Sequence, residues 1–209
     1  MNIDQILERA RPVMPVLVID DASKAIAMAD ALADGGIEVL EITLRTASAL
    51  EAIEAIRQAR PDLIVGAGTV VSAAQMQALA DAGGQFAVSP GFSPQLTRAA
   101  HEASMPYLPG VVTASEIQQA TECGLGALKF FPAAAAGGST LLRNFAGVFP
   151  EVVFCPTGGI RLETMNDYLA LNNVRCIGGS WIAPRQAIAD EKWQQISANA
   201  RAAISAAQS

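Results

Sequence analysis

Histidine is almost absent from this chain of 209 residues, and lysine and cysteine are scarce: there is one His, at position 101, with three Lys and three Cys. A single imidazole leaves no His-rich metal site and no triad built from several separate partners. Cys123, Cys155 and Cys176 are odd in number and widely spaced, which fits neither a disulfide framework nor a zinc pattern, so buried free thiols are expected. Aromatic residues are only 5% of the chain, and the core must therefore be built from Ala, Val, Ile and Leu. Basic clusters are also missing, and with a net charge of −6 this argues against nucleic acid as a partner and for a small ligand. The apolar stretch at 12–19 is far shorter than the roughly 18 residues of a membrane span, and the start MNIDQILERARP carries acidic residues; a cytoplasmic protein without a membrane partner is expected.

What is present is rhythm. At 51% hydrophobic and 16% charged, the chain reads as one globular domain over 1–209. Short apolar runs rich in Val, Ile and Phe predict strands at 14–19, 38–43, 63–68, 86–90, 107–111, 127–132, 152–157 and 174–178. Helical patterns lie between them at 22–34, 47–60, 72–82, 93–103, 113–123, 138–147 and 161–171, with an extra N-terminal helix at 2–10 and a last helix at 190–206. Ser72, Ser93 and Thr113 are suited to cap helix starts, and the Gly pairs at 35–36 and 83–84 to end them. Eight βα units predict an α/β fold of the (β/α)8 TIM-barrel type with an added N-terminal helix. A doubly wound open sheet is the alternative, but GAG at 66–68 runs on into TVV and does not complete a dinucleotide fingerprint.

Lys129 stands out, because the other lysines, Lys24 and Lys192, fall on polar helix faces. Within GALKFFP, strand alternation sends Ala127, Lys129 and Phe131 to the side opposite Leu128 and Phe130, which points the amine inward. Burial among apolar groups favours the neutral amine, which can attack a ketone and form a Schiff base. A snorkelling or ion-paired structural lysine explains the same local pattern. Glu41 in EVLEIT also alternates inward, as a proton shuttle or as an ion-pair partner of Lys129 or Arg45. Arg45, just past that strand, suits a forked contact with a substrate carboxylate or a plain place in a loop.

Two glycine pairs, in CPTGGI (155–160) and IGGSW (177–181), sit at adjacent strand ends. There a phosphate can approach backbone N–H groups, with the Ser180 hydroxyl beside them. GAGT at 66–69, ending in Thr69, and SPG at 89–91, containing Pro90, are candidate pocket loops that simple turns would also explain. Gly137 and Gly138 read as a turn, Cys155 as a core thiol and His101 as a solvated helix residue.

Taken in order, EITLR (41–45), GAGTV (66–70), SPG (89–91), LPGV (108–111), LKFFPA (128–133), CPTGGI (155–160) and GGSW (178–181) resemble the KDPG/KHG aldolase family over nearly the whole chain. KDPG is 2-dehydro-3-deoxy-6-phosphogluconate and KHG is 4-hydroxy-2-oxoglutarate. The resemblance implies a class I aldolase in which Lys129 forms the Schiff base and Glu41 is the general acid and base. It further implies that Arg45, Thr69, Pro90 and Phe131 bind substrate and that Gly158, Gly159, Gly179 and Ser180 bind phosphate. It implies no metal and no organic cofactor, a phosphorylated keto-deoxy sugar acid and pyruvate as ligands, a homotrimer, and a place in the Entner–Doudoroff breakdown of sugar acids. One departure is visible: many relatives carry Glu two residues after the proline of KFFP, where this chain has Ala134. Arg45 favours the gluconate or KHG branch over galactonate-type relatives. A sugar-phosphate isomerase or epimerase, or a phosphosugar-binding protein without catalysis, would use the same loops without a covalent lysine.

Overall fold

The computed structural model describes residues 1–207. Its strands are β1 (Val13–Leu17), β2 (Val39–Thr43), β3 (Ile64–Gly68), β4 (Ala87–Val88), β5 (Tyr107–Leu108), β6 (Gly110–Val111), β7 (Ala127–Phe130), β8 (Val153–Pro156) and β9 (Ile177–Gly179). Its helices are α1 (Ile3–Arg9), α2 (Ala25–Asp34), α3 (Ala49–Ala59), α4 (Ala73–Asp81), α5 (Pro94–Glu102), α6 (Ala114–Glu122), α7 (Gly138–Val148), α8 (Met165–Leu169), α9 (Arg185–Ala189) and α10 (Trp193–Ala207). Every strand pair is parallel, as helical crossovers require.

The expectation of a closed eight-stranded (β/α)8 barrel is corrected by the sheet order. Six strands pair as β5-β4-β3-β2-β1-β9 and three as β6-β7-β8, which makes two sheets and not one closed ladder. Two places account for the breaks. The run expected as one strand at 107–111 is split at Pro109, which has no N–H to donate, so β5 pairs with β4 while β6 pairs with β7. On the other side, β8 meets the β9 region only through two isolated bridges, Phe154 with Val174 and Thr157 with Gly178.

Alternation along the strands sorts side chains as expected. Leu40, Ile42, Val65, Ala67, Leu128, Phe130 and Phe154 pack into the large core under the helices. Met14, Val39, Ile64, Phe86, Ala127, Cys155 and Cys176 turn to the other side and form a second apolar cluster with Ile6, Leu7 and Ala10. The N-terminal helix α1 thus covers one end of the inner face. It starts at Asn2, whose side chain accepts from the Gln5 N–H while Gln5 reaches back, a reciprocal cap.

Ser72, Ser93 and Thr113 cap α4, α5 and α6 through their hydroxyls. Gly36 and Gly83 hold φ of 91° and 76° just after α2 and α4, a region that an L side chain resists. The helical pattern at 22–34 divides into a 3-10 turn, Ala22–Lys24, and α2. The one at 161–171 shrinks to the five residues of α8, and that at 190–206 is preceded by a short α9 outside the expected range. Glu191, at φ 56°, separates α9 from α10.

Candidate active site

Glu41 and Lys129 lie on strands of different sheets, yet Lys129 Nζ donates to Glu41 Oε1 at 3.1 Å. Each sits in a register that supports it: Glu41 opposite Val16 and Gly66, Lys129 opposite Gly110 and Cys155. The two residues are 2% and 6% exposed, so the pair is a buried one. Removing either partner would leave an uncompensated charge in a site that water barely reaches. The Phe131 ring lies 5.4 Å from the amine, a contact between a cation and an aromatic face.

Gly68, at the end of β3, explains how Glu41 is aimed. A methyl group on its Cα would stand 2.1 Å from Glu41 Oε1, so the carboxylate rests directly on bare backbone. Nearby, Arg45 Nε donates to Thr69 Oγ1 at 3.3 Å, and Thr69 holds φ of 60°. Beside the pair opens a cavity of about 250 Å³ lined by Val16, Arg45, Lys129, Phe131, Thr157, Gly158, Gly159, Ile160, Gly178 and Ser180. A larger cavity of about 480 Å³ shares Val16, Gly159, Ile160 and Ser180 and continues past Trp181 to Arg161 and Arg185. The smaller one is lined by the buried Lys129 that the sequence singles out.

Six of the ten candidate residues, Lys129, Arg45, Phe131, Gly158, Gly159 and Ser180, line that cavity together. Glu41 and Thr69 touch it through hydrogen bonds to Lys129 and Arg45. Pro90 is exposed and outside the lining; its carbonyl oxygen packs on the bare Cα of Gly110, beside Lys129 in the ladder. Gly179 is also outside it, with the Trp181 ring against its Cα. Gly178 takes the lining position, because its bridge to Thr157 brings that threonine over its Cα. Thr157 and Val16 escaped the reading of the motifs, although Thr157 lies inside CPTGGI and is buried at a strand end, a usual place for a functional hydroxyl.

Of the cysteines, Cys155 and Cys176 are buried free thiols with their sulfurs 3.7 Å apart, but Cys123 is exposed, contrary to expectation, because it follows the last turn of α6 on the solvent side. His101 is exposed on α5, and Gly137 caps the start of α7. Among the described residues no three His, Cys, Asp or Glu side chains cluster to hold a metal ion, and no helix is long and apolar enough to cross a membrane.

A buried amine against a carboxylate, at the open end of parallel strands and beside an arginine, defines a lysine-centred α/β enzyme. A profile of KDPG and KHG aldolases matches residues 3–199, and the chain belongs to that family. It is 48% identical to the 2-dehydro-3-deoxy-phosphogluconate aldolase of Dickeya dadantii (strain 3937), over 98% of this chain and 95% of that one. The KDPG aldolase of Legionella pneumophila, solved with pyruvate captured at low pH as a covalent carbinolamine intermediate, superposes with a TM-score of 0.94 at 44% identity, covering 97% of this chain and 98% of that one. The 2-keto-3-deoxy-6-phosphogluconate aldolase of Zymomonas mobilis ZM4, solved with 3-phosphoglycerate, gives a TM-score of 0.88 at 42% identity over 96% of this chain and 94% of that one.

Proposed function

We propose that this chain is a class I aldolase that cleaves KDPG to pyruvate and glyceraldehyde 3-phosphate, and KHG to pyruvate and glyoxylate. The observation that carries the reading is the buried Lys129 amine, 3.1 Å from the Glu41 carboxylate, at the wall of a cavity that also holds Arg45. Family membership supports it, and the carbinolamine trapped in the Legionella relative is the intermediate that an attacking lysine produces.

Glu41 takes a proton from the Lys129 ammonium, and the freed amine adds to the C2 ketone to give a carbinolamine. The same carboxyl group returns the proton to the C2 hydroxyl, which leaves as water, and the iminium forms. Glu41 then removes the C4 hydroxyl proton; the C3–C4 electron pair flows into the iminium, and the aldehyde departs. Protonation of the enamine at C3 and hydrolysis of the resulting imine release pyruvate and restore Lys129. Arg45, steadied by Thr69, holds the substrate carboxylate, and Phe131 shields the imine from bulk water. Gly158, Gly159 and Ser180 receive the phosphate, with Gly178 and Gly179 shaping the neighbouring strand end.

The reading also places the protein in a reducing cytoplasm, which suits three free thiols, and in a homotrimer that degrades sugar acids by the Entner–Doudoroff route. Its decisive test is reduction of the protein with borohydride in the presence of pyruvate, followed by peptide mapping. One label, on Lys129, is expected. A label on Lys24 or Lys192, or none while cleavage proceeds, would end the Schiff-base reading.

A further inference from the structure

Two cavities that share Val16, Gly159, Ile160 and Ser180 carry arginines, Arg45 with Lys129 in the smaller and Arg161 with Arg185 in the larger. The two distal arginines are not equivalent. Arg185 donates from Nε and Nη2 to the two carboxylate oxygens of Asp20, at 2.7 and 2.6 Å, and that guanidinium holds Asp20 below the usual carboxylate range. Its charge is already matched by a bidentate partner. Arg161 is held only by its backbone: its N–H donates to Thr164 Oγ1 at 3.1 Å, and its carbonyl accepts from the same hydroxyl at 3.3 Å. Among the described residues its guanidinium makes no ion pair and no side-chain hydrogen bond.

We propose that Arg161 is a specificity-determining residue, whose unpaired guanidinium binds the distal phosphate ester of the substrate and makes this chain prefer phosphorylated over unphosphorylated keto acids. The inference rests on the aldolase reading and deepens it. Gly159 and Ser180 line both cavities, so a ligand anchored at Lys129 reaches Arg161 by passing them. KHG carries its second carboxylate on C4 itself, whereas KDPG places its phosphate two carbons and an oxygen further out. The longer ligand therefore extends further from the lysine, past the shared residues and toward the larger cavity. The protein's net charge of −6 opposes entry of a phosphate dianion, so an unmatched local cation weighs heavily in that encounter. Glycines and a hydroxyl alone offer hydrogen bonds but no counter-charge.

The test compares the full-length protein with Arg161→Ala and Arg161→Lys, using kcat and KM for KDPG and KHG at low and high salt. In parallel, calorimetry measures binding of 3-phosphoglycerate, which needs no turnover. Arg161→Ala is expected to raise KM for KDPG about tenfold, the size of one charge-assisted hydrogen bond, with kcat and both KHG constants within twofold of the parent. Affinity for 3-phosphoglycerate should fall by a similar factor, and the salt dependence of the KDPG KM should flatten. Arg161→Lys should recover part of both losses. A KDPG KM within twofold of the parent, or equal rises for KDPG and KHG, overturns the assignment while leaving the aldolase reading standing. A parent that cleaves neither substrate ends the aldolase reading, and Arg161 is then judged on the calorimetry alone: undiminished 3-phosphoglycerate binding by Arg161→Ala overturns it too.

Discussion

The inner face has two layers built from the same strands, and they differ by a step of two residues. Val39 and Glu41 share β2, Ala127 and Lys129 share β7, and Cys155 is followed on the same side by Thr157. The first member of each pair joins the apolar cluster closed off by α1, with Met14, Ile64 and Phe86. The second member faces the cavity or its buried ion pair. The pleat thus gives stability and chemistry the same backbone and separates them by about 6–7 Å of strand. The apolar layer needs only volume and hydrophobicity, whereas the polar layer needs particular atoms at particular places.

The largest effect expected is on the polar layer. Lys129→Ala removes the amine proposed to bond to substrate, so turnover should fall by at least about 10⁴-fold and borohydride trapping with pyruvate should vanish. Glu41→Gln keeps the shape but not the proposed proton shuttle, and a steady-state assay should show a loss of roughly 10²–10⁴-fold. Parent-like turnover in Glu41→Gln would remove Glu41 as the acid and base and reduce its contact with Lys129 to a structural pair.

Gly68→Ala probes the support under the polar layer without replacing either side chain of the buried pair. The new methyl group would collide with Glu41 Oε1, and displacement of a catalytic group by about 1 Å costs on the order of 10²-fold. Turnover and the rate of trapping with pyruvate should both drop, because the proposed proton transfers by Glu41 serve imine formation as well as cleavage, while the denaturant midpoint stays close to that of the parent. A midpoint that falls along with turnover would show that the glycine serves the fold and not the aim of Glu41.

Met14→Ala is the converse experiment in the apolar layer. Met14 is fully buried there, and a cavity in its place should cost about 2–5 kcal/mol in denaturant unfolding, with kcat of the folded fraction close to that of the parent. A Met14→Ala protein that is as stable as the parent but slower would mean that the two layers are mechanically coupled.

The polar layer was legible in the sequence because strand alternation around Lys129 and Glu41 is a local property. The same holds for the caps at Ser72, Ser93 and Thr113, where one side chain and three following residues decide the geometry. Pairing between strands was not legible. That Gly178 and not Gly179 lines the cavity depends on its bridge to Thr157, which joins residues 21 positions apart. The break of the ladder at Pro109 had a visible cause, but its consequence depends on which neighbours β5 and β6 choose. Cys123 was misplaced because cysteine is usually buried, and a helix end on the solvent side overrides that tendency.

The smallest effect concerns the thiols of the apolar layer and the alkaline limit of the fold. Cys176 donates to Cys155 at 3.7 Å, and this hydrogen bond together with burial pushes its thiol well above the ordinary value of 9.0. Tyr107, in the large core under the helices, is likewise raised above 10.0, because burial outweighs its hydrogen bond with Ser89. For both groups the folded state holds the proton more tightly than the unfolded state. Their contribution is therefore fully present below the unfolded values and is lost as pH rises through the folded ones. Denaturant midpoints should be flat across neutral pH and start to fall above about pH 9, and Cys176→Ser should move the onset toward the tyrosine range. At pH 8 iodoacetamide should modify Cys123 alone in the native protein and all three cysteines after unfolding. Rapid native labelling of Cys155 or Cys176 would show that the apolar layer opens far more readily than its packing implies.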